Sequence, residues 1–193
     1  MALWGASDAD ESKPKNLTTA EKKEVYATSS GWVREAGSIL SGNGNTSADP
    51  ELLVAISGLA VSIGAADITE IEWITTAFDK SDGGTLSLRV RFNEAVDVAT
   101  SGGTPYLLIT NQTSSSRNVN APYASGTGTN EIVFTKTLAG GAGDTNASDV
   151  LKVAADAIVL NSGTIKDAGT NTNSTITNVA SIGTAAGTIT VAA

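Results

Sequence analysis

Residues 85–98 read TLSLRVRFNEAVDV, and the first eight of them alternate. Leu86, Leu88, Val90 and Phe92 fall on one side, and Thr85, Ser87, Arg89 and Arg91 on the other. Strict period two is the mark of a strand with one face in a core and the other in water. Asn93, Glu94 and Ala95 interrupt the pattern before Val96-Asp97-Val98. The rest of the chain toward the C-terminus reads as further strands folding back to cover the apolar face.

Those strands are punctuated by turns. Residues 79–84, DKSDGG, predict a turn before the central strand. Their acidic and hydroxyl side chains resemble a calcium loop, but the position for a closing Glu is Val90, inside a strand, so an Asx/Gly turn is the expectation. Strands are expected over 105–110, 121–125 and 131–138, with a polar tip at 111–120 and a hairpin connection at 126–130. Ile132 and Phe134 should face the core, and Tyr123 the core or its rim. Residues 150–155 and 157–160 read as short strands or as a helical turn followed by a strand, and further strands are expected at 164–165, 174–179 and 187–191. Strand-like runs at this spacing indicate a mainly β chain built as an antiparallel sandwich.

Composition removes whole classes of function. The net charge is −8, which argues against a nucleic-acid phosphate binder. Lys13, Lys15, Lys22 and Lys23 are interleaved with Glu11, Glu21 and Glu24 and read as a solvated charged segment. There is no cysteine and no histidine, hence no disulfide, no thiolate metal site and no imidazole base. Glu94 and Asp97 sit at the strand interruption and read as solvated, and Asp144, Asp149 and Asp167 fall in loops without a ligand spacing. No catalytic residue, metal or cofactor is expected. No apolar run approaches the ~18 residues of a membrane span. The opening MALWGASDADESK turns acidic at once and does not read as a secretory signal.

Residues 1–50 differ from the rest, with 5 of the 12 basic residues and two of the three tryptophans. Thr18 and Glu21 form a possible capping box for a short helix over 19–27. Residues 41–49, SGNGNTSAD, read as a flexible loop. Aromatic residues in an otherwise polar arm are the kind of anchor that docks into a partner's pocket. Trp4, Tyr26 and Trp32, with Val33 and Arg34 beside them, are therefore the candidate partner-binding residues. The division expected is an attachment arm over 1–50, a connecting β segment over 51–75 and the sandwich over 76–193. Residues 51–56, ELLVAI, read as a buried strand or a short helical start.

Two resemblances add to this. Val90, Phe92, Glu94, Val96 and Val98, then Gly103, Pro105 and Leu107, resemble the bacterial immunoglobulin-like repeats of large surface adhesins. The pattern continues through Tyr123, Ser125-Gly126-Thr127-Gly128-Thr129, Ile132, Phe134 and Asp149-Val150-Leu151 to residues 160–169, LNSGTIKDAG. Its ending departs from the usual Asp-Ala-Ala-Gly-Asn, reading Asp167-Ala168-Gly169-Thr170-Asn171. This resemblance implies an immunoglobulin-like fold for the β-sandwich, and the reading of the front adds an extended N-terminal arm before it with at most one short helix. The whole chain resembles virion structural proteins of marine tailed phages, particularly those of cyanobacteria. The motifs are residues 11–15, ESKPK, Val25-Tyr26-Ala27-Thr28 with Gly31-Trp32-Val33, Leu53-Val54-Ala55-Ile56 and residues 66–71, ADITEI.

The phage resemblance implies a front that attaches to the particle and a displayed back. The expected function is a capsid decoration or cement protein on the virion surface, assembled in the host cytoplasm. Its partners would be the major capsid protein or other virion proteins, with possible self-association on the particle and neither nucleic acid nor membrane. A neck or tail component, or a host-surface or carbohydrate adhesion module, is the alternative. Tyr106, Tyr123 and Trp73 are the aromatics the sandwich offers to a sugar.

Overall fold

The computed structural model describes residues 13–193 except 15, 39, 43 and 142. The described residues are mainly β, with twelve strands and three short α-helices. They are α1 (Thr19–Lys23), β1 (Val25–Thr28), β2 (Gly31–Arg34), β3 (Glu51–Ala55), α2 (Leu59–Ser62), β4 (Ile68–Trp73), β5 (Phe78–Asp79) and β6 (Gly83–Ala99). After them come β7 (Tyr106–Asn111), β8 (Val119–Ser125), β9 (Thr129–Ala139), β10 (Val150–Val159), β11 (Thr164–Asp167), α3 (Ala180–Ala185) and β12 (Thr188–Ala192).

The alternating stretch became β6, 17 residues long, and it organises the molecule. It pairs with β9 and β4 along its first half, with β11 along its second, and with β5 and β1 at single positions. Leu86, Leu88 and Val90 are fully buried and Phe92 nearly so. At roughly 1.5–3 kcal/mol for each such side chain, this face alone is a large part of the core. The ladder runs β6-β5-β12-β10-β7-β8-β9 and returns to β6, closing a ring of seven strands. The link between β5 and β12 is parallel and two residues long. The ring is a closed barrel enclosing one apolar core, to which Ile132, Phe134, Leu107, Ile109 and Leu151 contribute fully buried side chains.

Several expectations need correction. Asn93 and Glu94 do not break the strand into water; both are buried, at the point where β6 changes partners from β9 and β4 to β11 and β1. Asn93 holds the change by accepting from the Asp67 N–H at 2.7 Å, while its own N–H donates to the Asp67 carbonyl at 3.0 Å. In β4 the buried residues are Ile68 and Ile71, three apart where a regular strand buries every second residue, because a register shift between Ile68 and Glu70 inserts one residue. Residues 174–179 are not a strand beyond an isolated bridge at Thr175. Asn178 there is drawn onto β10 instead: its Oδ1 accepts from Ala157 N and its Nδ2 donates to the Ala154 carbonyl, both at 2.9 Å. Those contacts bridge the bulge in β10, where Asp156 has φ of 50°.

The front of the chain differs most. Where an extended arm is expected, β1, β2 and β3 form a three-stranded antiparallel meander, which joins the barrel through a parallel bridge between Ala27 and Glu94. The capping box is present, but the helix stops at Lys23 because the β-rich run Val25-Tyr26-Ala27-Thr28 takes over as a strand. Val25, Ala27, Trp32, Leu59 and Ile63 make a second, smaller core separate from that of the barrel. Lys13 is buried rather than solvated, and its Nζ donates to the Lys22 carbonyl at 2.9 Å. Lys15 lies outside the described residues.

Candidate attachment module and charged seam

Of the five residues expected to bind a partner, the four that are described do not form one exposed surface. Trp4 lies outside the described residues. Trp32 is 1% exposed at the centre of the small core, and Val33 beside it is also buried. Both bury their side chains within this chain, so neither is an open anchor. Arg34 is committed to ion pairs with Glu21 at 3.4 Å and Glu51 at 3.7 Å, which tie α1 and β3 to β2. Tyr26 projects to the face of β1 opposite Val25 and Ala27 and is half-buried. Burial, with the nearby charges of Glu35 and Glu131, raises its phenol.

What the module does leave open is its outermost strand. β3 is the end of the strand order, and no strand among the described residues pairs with its outer edge. Its residues are exposed or half-exposed throughout, with Leu52 50% exposed, so it is an edge strand and not the buried strand expected. Of the five β3 residues only Glu51 is charged, and the Lys and Pro that usually blunt an edge are absent within the strand, Pro50 standing just before it. Leu40 and Val61, in the neighbouring loop and on α2, are exposed as well.

The side of the meander toward the barrel is a charged seam. Arg91 on β6 was expected in water but is buried, 7% exposed. Its guanidinium meets Glu70 at 3.1 Å, Glu35 at 3.4 Å and Glu72 at 3.7 Å, and its Nε donates to Glu131. Arg89 reaches Glu72 at 3.3 Å and Glu131 at 3.4 Å, and Lys23 of α1 pairs with Glu70. Burial works to lower the Arg91 pKa, but Glu131, Glu35 and Glu72 hold it above its ordinary value. Glu35, just beyond β2, carries the opposite perturbation: burial first, then Glu131, push it up to about 7 against the pull of Arg91. The alternation of Arg89 with Arg91 and of Glu70 with Glu72 was the signal available in the sequence. Their pairing across strands was not.

Asp79 and Asp167 have structural roles. Asp79 Oδ1 accepts from Ser81 N at 2.7 Å and Asp82 N at 3.3 Å, the Asx turn expected there. Asp167 Oδ1 accepts from Gly169 N at 2.6 Å and Thr170 N at 2.8 Å, so the departure from the repeat's usual ending is also a closed Asx turn. No group of three or more Asp or Glu able to hold a metal ion occurs among the described residues. The three aromatics named for sugar binding are all half-buried, and Tyr123 is engaged within the fold. Tyr123 packs edge-on against Phe134 at 6.3 Å, and its hydroxyl accepts from Thr127 N at 2.9 Å. A cleft of about 250 Å³ between β10 and α3 is lined by residues that include Lys152, Ala154, Gly183 and Thr184, with Lys152 its one titratable group.

Compared with known proteins, the chain matches no family model, no curated protein and no solved structure.

Proposed function

We propose that this chain is a virion structural protein, a capsid decoration or cement protein that attaches through its N-terminal module and displays its barrel outward. The observation that carries the attachment half is the open outer edge of β3. A module with its own small core ends in a strand whose outer edge pairs with no strand among the described residues, charged only at Glu51 and bearing an exposed Leu52. Such an edge accepts an extended segment of a partner by strand addition, with main-chain hydrogen bonds giving affinity. The partner would be the major capsid protein or another virion protein. Tyr26, Trp32, Val33 and Arg34 then serve attachment by shaping the module and not by touching the partner. Many copies on one lattice would make the attachment collective.

The phage resemblance in the sequence supplies the kind of particle. The immunoglobulin-like reading of the barrel is part of the same proposal. β4, β6 and β9 form one wall and β12, β10, β7 and β8 the other, with the two-residue β5 closing one edge. A barrel with this strand pairing is compatible with an immunoglobulin-like sandwich whose layers meet at their edges.

The test is co-sedimentation of the full chain with purified phage heads lacking it, beside Leu52→Lys. The expected result is that the wild type pellets with heads and the variant, folded to the same extent, does not. Pelleting with tails alone would move the protein to the neck or tail. Binding to neither, or equal pelleting of both chains, would overturn attachment through β3.

A further inference from the structure

The charged seam between meander and barrel holds one carboxylate too many. Glu35, Glu70, Glu72 and Glu131 face Arg89, Arg91 and Lys23, four potential negative charges against three positive. Glu24, at the end of α1, adds a further acidic group near Glu35, and Ser38 donates to it. Tyr26 faces the same space from β1 as a neutral phenol. Glu35 is the least supported of the four. The one cation it touches among the described residues is Arg91, at 3.4 Å, a guanidinium already held more closely by Glu70 and Glu131. Its other oxygen, Oε2, is buried and has no hydrogen-bond donor, while the Glu131 carboxyl lies alongside. With both groups ionised, acceptor faces acceptor. One proton on Glu35 turns that contact into a hydrogen bond and removes the excess charge.

We propose that Glu35 is a proton-controlled latch between the N-terminal meander and the barrel. Protonated, it shares its hydrogen with Glu131 on β9 and holds the end of β2 against the barrel; ionised, it is repelled by Glu131 and the meander loosens. The position suits the task, because Glu35 follows β2 directly and its N–H donates to the Glu24 carbonyl at 2.9 Å, so its movement is passed to both α1 and β2. Burial and Glu131 raise its pKa to about 7, so the folded chain binds a proton that the unfolded chain has already released above the ordinary carboxylate range. Stability from the latch is therefore complete below that range, falls as pH rises, and is gone above about 7. The latch does not depend on what the meander binds.

The experiment is native-state hydrogen exchange on the full chain between pH 5 and pH 8, corrected for intrinsic exchange rates. Protection of the β1 and β2 amides is expected to drop roughly tenfold over that interval, allowing for solvent screening, while β7 and β10 stay unchanged. Glu35→Gln, a permanent mimic of the protonated acid, should hold the acid-side protection at every pH. A flat wild-type profile, or an unaltered pH-dependent fall in Glu35→Gln, would overturn the proposal. If Glu35→Gln loosens the meander at all pH values, Glu131→Gln decides. Removing the negative neighbour should move the wild-type fall to lower pH, and an unmoved fall would overturn the latch.

Discussion

Arg117 grips Asp149 with two parallel hydrogen bonds, Nε to Oδ2 at 2.8 Å and Nη2 to Oδ1 at 2.7 Å. Asp149 is 1% exposed and also accepts from Asn111 Nδ2 at 2.7 Å and Asn146 N at 2.8 Å. The pair fastens a single 3₁₀ turn, Ser115–Arg117, to the start of β10 and so orders the polar tip between β7 and β8. The bidentate fork is the geometry in which a guanidinium recognises a carboxylate best.

The Arg117 hydrogen bonds, helped by Asn146 N and Asn111, hold the Asp149 carboxyl well below its ordinary range despite burial. A depressed carboxylate contributes stability that is present above its unfolded pKa and lost as pH falls. The melting temperature should therefore drop between pH 4.5 and pH 2.5, and Asp149→Asn should flatten that slope. At pH 7 the same variant should melt roughly 5 °C lower, because it leaves Arg117 without its counter-charge. Melting curves by circular dichroism at several pH values check both.

Trp32→Ala removes the largest side chain of the small core and should destabilise the meander by about 3–5 kcal/mol. The barrel has its own core, so its melting should be little changed. Exchange protection measured strand by strand separates the two, with β1 and β2 losing protection and β7 and β10 keeping it. Equal loss in both would show that meander and barrel fold as one unit.

Gly31→Ala should detach β3 without touching the barrel. Gly31 has φ of 134°, and a Cβ there would lie 1.9 Å from the Val54 carbonyl oxygen, which cannot be accommodated without parting β2 from β3. Loss of head co-sedimentation with an unchanged barrel transition is the expected pair of results.

Asn178→Ala leaves the Ala157 N–H and the Ala154 carbonyl of the β10 bulge without their partner. Unsatisfied buried groups of this kind cost about 1–3 kcal/mol. Chemical denaturation should report a loss of that size, with accelerated exchange of the Ala157 amide as its local signature.

Much of the barrel was legible because its signals are local. The alternation of Leu86, Leu88, Val90 and Phe92, and of Ile132 with Phe134, states which side chains turn inward, and all are buried. The Thr18–Glu21 capping box and the Asp79 turn are likewise complete within a few residues. Reading failed where the outcome depended on a distant partner. Arg91 lies on the polar side of its strand, yet Glu70 and Glu131 from neighbouring strands cover it. Trp32 looked like an anchor for another molecule because nothing near it in sequence announces Leu59 and Ile63, which bury it.

A β-rich chain, the face of its central strand and the places where it turns follow from the order of residues alone, because period two and turn chemistry act between neighbours. Closure of the ladder, the folding of the front as a meander and the meeting of Glu35 with Arg91 and Glu131 arise only when the chain packs. Those outcomes rest on register between strands far apart in the chain, and a one-residue shift such as that in β4 exchanges the buried and exposed faces without changing the composition.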